Sequence, residues 1–358
     1  MIAKPVRQQV SAASGSSRAR ISVAMATYNG ARFIRQQLKS LAQQTSLPYE
    51  LIVCDDSSTD GTPSIVEEFS DHAPFPVRIH KNEVRLGYRD NFMQAAGLAK
   101  GDWIAFCDQD DVWLPQKLER VLSVVARHSG LVLVIHSAEL VDETLKPTGR
   151  RFPNIKHNRI IGPLEHSRTQ HYPGFCCIFA RVLVDEVPWD ANDFPDQYIH
   201  DQWICFLANA LGRTCYIPEP LVLYRRHYGA VTGNHDRRLL STTLNDARSA
   251  SSGDYRKQSQ FISRYAELLQ SRSRETGSRA VSVELQRASA HYTRFASWLQ
   301  SRANLYEAGG LFTRMMIFLS LLARRAYIGR PGIVLGPRAL AKDVVVTIFG
   351  SSLIAVRR

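Results

Sequence analysis

The run Trp103-Ile104-Ala105-Phe106-Cys107 is a short apolar segment of strand type. Three carboxylates leave its C-terminal end together in the sequence Asp108-Gln109-Asp110-Asp111-Val112-Trp113. A strand this apolar belongs inside a sheet, while its end must face water or a cation. Three carboxylates so close repel one another unless positive charge sits among them. A hard divalent ion typically takes one or two protein carboxylates and completes its shell with water and substrate phosphates. On these residues alone two readings stand. One is a solvated acidic turn capping the next helix; the other is a seat for a metal–diphosphate.

The surrounding pattern favours the second. The strand Arg20–Ala26 runs into the loop Thr27-Tyr28-Asn29-Gly30 and a helix over about 32–44. A second strand, Tyr49–Cys54, ends in Asp55-Asp56-Ser57-Ser58-Thr59-Asp60-Gly61, with a helix near 63–70. A third strand, Val77–His80, precedes a helix over about 90–100. After the acidic motif come a helix over about 115–128 and a strand at 131–136. Strands alternating with helices through short connections predict a doubly wound, mostly parallel α/β sheet. Ligands of such sheets bind outside the carboxyl ends of the strands. Here three of those ends carry Thr27-Tyr28-Asn29, Asp55-Asp56 and Asp108–Asp111.

Charge divides the chain. From Arg237 onward there are 20 Lys and Arg against 7 Asp and Glu, whereas residues 1–236 are close to neutral. The basic excess therefore describes a partner surface in the last third. The expected organisation is a disordered leader at 1–19, an α/β domain at 20–236 and a basic, mainly helical region at 237–358. The leader has no apolar core of signal-peptide length, so no export signal is expected. Six cysteines without CxxC spacing read as reduced, structural thiols of a cytosolic protein. No apolar stretch reaches the length that spans a bilayer.

Seven pieces occur in one order: Met25-Ala26-Thr27-Tyr28-Asn29-Gly30, Asp55–Gly61, Asn82 to Gly87, Gly101-Asp102, Asp108-Gln109-Asp110-Asp111-Val112-Trp113, His200-Asp201 and Tyr224-Arg225-Arg226-His227. Together they resemble the inverting family 2 glycosyltransferases of the GT-A (nucleotide-diphospho-sugar transferase) fold. The nearest resemblance is to bacterial rhamnosyltransferase-like enzymes of surface-polysaccharide synthesis. It covers about residues 20–235.

The resemblance implies roles. Ala26, Thr27, Tyr28 and Asn29 belong to the nucleotide pocket, with the Tyr28 ring stacking on the base. Asp56 accepts the base N3–H, and Asp55 braces the loop. Asp108 reaches the ribose, and Asp110, with Asp108, holds Mg²⁺ or Mn²⁺. Gln109 and Asp111 lie on the donor side, Asp111 towards the sugar or a metal-bound water. Asp201 matches the base that deprotonates the acceptor hydroxyl, while His200 is read as structural. Arg225 and His227 are read as a pair clamping the diphosphate, with Arg226 pointing away; a solvated basic loop is the alternative. Gly174 resembles a glycine that lets the acceptor approach. Two places depart from the family pattern: Tyr228–Gly233 replaces a His-Gly-Asn-Asn run, and no aspartate stands near Ser137.

The implied donor is a dTDP- or UDP-sugar, with dTDP-L-rhamnose preferred. The implied acceptor is a saccharide or polyprenyl-linked saccharide. A non-catalytic nucleotide-sugar-binding subunit of a synthase complex is the runner-up, and the presence of both Asp110 and Asp201 weighs against it. In the basic region, Phe312, Met315, Met316, Leu319, Leu322 and Ala326 share one helical face, and 344–356 is again apolar. Periodicity alone leaves two occupants for these faces, an anionic membrane surface or protein, including a homodimer partner. The resemblance favours a peripheral enzyme on the cytoplasmic face of the inner membrane. Few interleaved aromatics and no recognised motif argue against nucleic acid.

Overall fold

The computed structural model describes residues 19–165, 172–190, 199–227, 251–329 and 334–351. Nearly all of the expected leader, the boundary near Asp236, the Tyr228–Gly233 segment and the end of the second apolar stretch lie outside these residues.

The sheet begins with β1 (Ile21–Thr27), β2 (Glu50–Asp55), β3 (Val77–Lys81), β4 (Trp103–Cys107) and the two-residue β5 (Val112–Trp113). It continues with β6 (Leu131–Val141), β7 (Pro147–Arg151), β8 (Arg159–Ile161), β9 (Cys177–Ala180) and β10 (Arg213–Arg225). The order is β3-β2-β1-β4-β9-β6-β10-β5, with β7 on β6 and β8 on β10. β1, β2 and β4 are buried along their whole length, as their largely apolar runs require of strands covered on both faces.

The helices of this part are α1 (Ile34–Ala42), α2 (Thr62–Ser70), α3 (Tyr88–Leu98), α4 (Lys117–Arg127), the short α5 (Val182–Asp185) and α6 (His200–Leu211). Helix α1 buries Ile34, Leu38 and Leu41, spaced at the helical period, with Gln37 among them. Gly101, just ahead of β4, is a glycine by necessity. A Cβ there would stand 2.7 Å from the Ser22 backbone nitrogen.

The mostly parallel expectation holds for β3, β2, β1 and β4, and for β6 with β10. Between the two groups β9 runs antiparallel to both β4 and β6. The sequence pattern hid this reversal because a short, fully apolar strand reads alike in either direction. β7 and β8 follow β6 and add to the sheet on β6 and β10. β10 extends through both prolines, Pro218 and Pro220, and absorbs them as irregularities in its register with β6.

The chain separates into two compact units. One holds the whole sheet and helices α1 to α6. The other holds α7 (Ser252–Glu275), all but the first turn of α8 (Arg279–Glu307), α9 (Leu311–Ala323) and α10 (Pro337–Phe349). In the second unit Asp343 is fully buried and accepts hydrogen bonds from Arg302 at 2.8 Å, Tyr306 at 3.1 Å and Tyr327 at 2.7 Å. No helix among the described residues is long and apolar enough to cross a membrane. All six cysteines are buried and free.

Candidate active site

Register places the site. Thr27 pairs with Asp55 across β1 and β2, and Met25 pairs with Cys107 across β1 and β4. Three strands therefore end level, and their outgoing loops share one edge of the sheet.

The first two loops are tied to each other. The Asp55 carboxylate accepts from the Thr27 hydroxyl at 2.7 Å, the Ser58 hydroxyl at 2.6 Å and the Ser58 amide at 2.9 Å. The Asn29 side-chain oxygen accepts from the Thr59 amide at 2.9 Å, and the Asn29 amide donates to the Ser58 hydroxyl. Asn29 holds φ at 47°, a conformation that asparagine tolerates better than most residues. Asp55, Thr27 and Asn29 thus spend their polar atoms on the loops. Ala26 is buried at the strand end.

Tyr28 is exposed, with its ring 3.8 Å beneath the Arg85 guanidinium. Gln109 reaches back across the sheet edge. Its Oε1 accepts from the Tyr28 amide at 3.0 Å and its Nε2 donates to the Tyr28 carbonyl at 2.9 Å. This two-point clasp fixes the backbone that carries the ring. Asp56 is buried. It accepts from the Leu86 amide at 2.7 Å, the Gly87 amide at 2.8 Å and the Asn82 side chain at 3.0 Å. The Asn82–Gly87 motif is therefore a loop folded onto Asp56. Arg85, which the sequence reading did not single out, is delivered by that loop to the Tyr28 face.

The acidic loop splits into different environments. Asp111 is fully buried; its Oδ1 accepts from the Arg225 amide at 3.0 Å and its Oδ2 has no partner. Burial, with Asp110 and Asp108 close by, pushes its carboxyl well above the ordinary range. Asp108 is pushed up to about 8 by burial and by the neighbouring Asp110 and Asp201. Asp110 is the more open; its Oδ2 lies 2.8 Å from His227 Nε2.

Asp201 sits in the first turn of α6, and its Oδ1 accepts from the Gln202 amide at 2.7 Å. The backbone of Gly174 also favours its charged form. Burial outweighs both and raises the carboxyl to about 7. His200 lies in an aromatic pocket, stacked 4.4 Å from Phe92 and edge-on to Phe106 at 4.9 Å. Burial lowers it to about 3, so it is a neutral packing residue, as read.

Arg225 differs from the expectation. Its guanidinium is sunk beneath the site rather than presented to a ligand. Nε donates to the Asp110 carbonyl at 2.7 Å, Nη1 to the Glu143 carbonyl at 2.6 Å and Nη2 to Gln36, and the group stacks over Phe33 at 4.5 Å. An arginine in the last residue of a buried strand points to whichever side offers acceptors, and here those are backbone carbonyls. His227 does face the acidic loop. Lys117 was also missed, because a lysine at the start of an amphipathic helix reads as solvated. It is fully buried, donates to the Phe175 carbonyl at 2.9 Å and stands 3.5 Å over the Trp113 ring.

Residues 22–187 match the model of "Glycosyl transferase family 2". They form a family 2 glycosyltransferase domain. Among its relatives, the dTDP-rhamnosyl transferase RfbG of Shigella flexneri is 27% identical over 219 residues, 57% of this chain and 71% of the relative. An Escherichia coli relative described as UDP-Glc:alpha-D-GlcNAc-diphosphoundecaprenol beta-1,3-glucosyltransferase WfgD is 32% identical over 149 residues, 40% of this chain and 58% of that one. The chain spans 59% of the length of uncharacterised mycobacterial relatives. Staphylococcus aureus TarS (residues 1–349), solved with UDP-GlcNAc, superposes with a TM-score of 0.52 at 19% identity, over 86% of this chain and 87% of that one. That likeness establishes the GT-A fold.

Proposed function

We propose that the protein is an inverting glycosyltransferase that moves a sugar from a nucleoside-diphosphate donor to a saccharide or polyprenyl-linked saccharide in bacterial surface-polysaccharide synthesis. The observation that carries this reading is Asp201. A buried carboxyl raised to about 7, influencing Asp108 of the acidic loop, is suited to act as a general base near neutrality. The name of RfbG supports a dTDP-sugar, L-rhamnose first, and that of WfgD supports a diphospholipid-linked acceptor.

In this reading Tyr28 offers its ring to the base, and the Asp56-bound loop moves Arg85 aside or onto the nucleotide. Asp201 takes the acceptor proton as the hydroxyl attacks opposite the departing diphosphate. Among the described residues no three His, Cys, Asp or Glu side chains are grouped to hold a metal by themselves. Hard oxygen donors at Asp110 and Asp108, strained by mutual repulsion, nevertheless fit a divalent ion that shares its shell with the donor. Mg²⁺ or Mn²⁺ bound there would neutralise charge growing on the leaving diphosphate. The enzyme is further read as peripheral on the cytoplasmic face of the inner membrane, held by α9 and α10.

The test is a thermal-shift panel of dTDP, UDP and GDP, each with and without Mg²⁺ or Mn²⁺, followed by transfer assays with the donor sugars of the base that binds. A metal-enhanced shift with dTDP or UDP and transfer with inversion are expected. Nucleotide binding without any transfer would favour the non-catalytic synthase subunit.

A further inference from the structure

Lys117 is a fully buried cation that the proposed chemistry does not use. It opens α4, four residues beyond Trp113, and its side chain runs inward beneath the acidic loop. The groups facing it come from several elements: Cys107 of β4, Asp108 and Asp111 of the acidic loop, Cys176 of the 3₁₀ turn before β9, Cys177 of β9, and His136 of β6. The thiols are held neutral by burial, and so is His136. Asp108 and Asp111 are the carboxylates among these groups.

The hydrogen bond of Lys117 leads elsewhere. Nζ donates to the carbonyl of Phe175, the middle residue of the 3₁₀ turn Gly174–Cys176. The first residue of that turn, Gly174, packs against the start of α6 beside His200, and its backbone favours the charged form of Asp201. The turn is tightly seated, since a Cβ on Gly174 would stand 3.0 Å from His200 Nε2 and 3.5 Å from the Phe106 ring. One short turn thus receives a buried ammonium on one peptide and seats the preceding residue against His200, next to Asp201. A turn seated in this way fixes where the neighbouring carboxylate points.

We propose that Lys117 is a positioning residue for Asp201, acting through the Phe175 carbonyl to hold the turn that seats Gly174 against His200, next to that carboxylate. The inference rests on the reading of Asp201 as the base. Lys117 touches neither donor nor acceptor in it. Removing it should leave donor affinity nearly intact while lowering turnover.

The experiment uses the full chain and four variants: Lys117→Met, Gly174→Ala, Asp201→Asn and Lys117→Met/Asp201→Asn. Methionine fills the lysine volume without a charge; because it leaves the Phe175 carbonyl without its donor, the melting temperature is measured alongside and kinetics are compared on folded protein. Lys117→Met is expected to lower kcat by about tenfold or more, with the donor Kd within about twofold of the parent. Gly174→Ala disturbs the same turn with Lys117 intact, so it should give the same selective loss even if Lys117→Met folds poorly. In the Asp201→Asn background, adding Lys117→Met should cost almost nothing more, because groups acting as one unit are not additive. A full multiplicative loss in the double variant, or normal kcat in folded Lys117→Met whatever Gly174→Ala does, overturns the proposal. Normal turnover in Asp201→Asn itself would remove the base assignment, a different and separately visible failure.

Discussion

His227 Nε2 lies 2.8 Å from the Oδ2 of Asp110. This contact joins the end of β10 to the loop after β4, two segments more than a hundred residues apart in sequence. The imidazole holds the carboxylate oxygen that a metal–diphosphate would need, so the two compete for it or share it. Asp110→Ala should abolish transfer and remove any metal enhancement of nucleotide binding, while the fold survives. His227→Ala should retain measurable transfer, with a changed metal requirement. Full activity of Asp110→Ala, or activity undiminished by a strong chelator, would remove the metal role.

Asp201 gives a prediction in pH. Its carboxyl is raised to about 7 in the folded protein, above the value near 4 of an exposed aspartate. The folded state therefore holds this proton more tightly than the unfolded chain. The resulting stability is fully present below about pH 4 and is lost as pH rises through about 7. Asp201→Asn lacks this loss. It should melt higher than the parent at pH 8, by up to roughly 4 kcal/mol in stability, and the gap should close towards pH 4. The same variant should turn over roughly 10²–10⁴ times more slowly, as loss of a general base does. Equal melting temperatures across that range would mean that Asp201 titrates normally.

Arg225 should behave as a keystone rather than as a ligand contact. Its guanidinium is shared among the Asp110 and Glu143 carbonyls and Gln36, and its amide holds buried Asp111. Breaking a buried charged network by removing one member typically costs about 3–5 kcal/mol. Arg225→Ala is expected to lose stability on that scale in urea denaturation. A variant with unchanged stability and a large rise in donor KM would restore the phosphate-clamp reading.

The positions of these groups were legible in the sequence to unequal degrees. The strand ends were readable because Met25–Tyr28, Asp55-Asp56 and Asp108–Asp111 each follow an apolar run, and parallel register then brings those ends level. His200 was readable as packing. The aim of Arg225 was not, since alternation along a strand gives a side but not the acceptors found there. Lys117 carried no signal, because burial of a lysine depends on a carbonyl supplied by Phe175, 58 residues away. Asp111 looked like its neighbours in sequence and differs only in being roofed by β10. The antiparallel β9 lacked any directional mark.

Gly30 and Gln109 should act as a pair. A Cβ on Gly30 would stand 2.1 Å from Gln109 Oε1, inside any real contact. Gly30→Ala must therefore expel the amide from its clasp on Tyr28. Gly30→Ala and Gln109→Ala should each weaken nucleotide binding, by roughly tenfold given two lost hydrogen bonds of about 0.5–1.5 kcal/mol each. The double variant should be no worse than either single one. Additive losses in calorimetric titration would show that Gln109 contributes something other than the clasp.

The helical unit carries the last prediction. α9 exposes Leu311, Phe312, Met315, Met316 and Leu319, and α10 exposes Val344, Val345, Ile348 and Phe349. Arg314 donates to the Thr347 carbonyl at 3.0 Å and brings the exposed end of one helix beside that of the other. Among the described residues between 308 and 351 there are five Lys and Arg and a single acidic residue, Asp343, whose carboxylate is already taken up by Arg302 and two tyrosines. Two copies of so basic a surface repel, whereas an anionic leaflet attracts it at about 1 kcal/mol per basic residue near the surface. The apolar side chains add burial on top. The full chain should co-sediment with vesicles containing phosphatidylglycerol, release partly in high salt and ignore phosphatidylcholine alone. Phe312→Ser/Phe349→Ser, at two largely exposed positions, should keep the melting temperature and lose most of the vesicle binding. Absence of vesicle binding by the parent, together with a stable dimer that the double variant breaks, would assign these helices to self-association and leave the catalytic reading untouched.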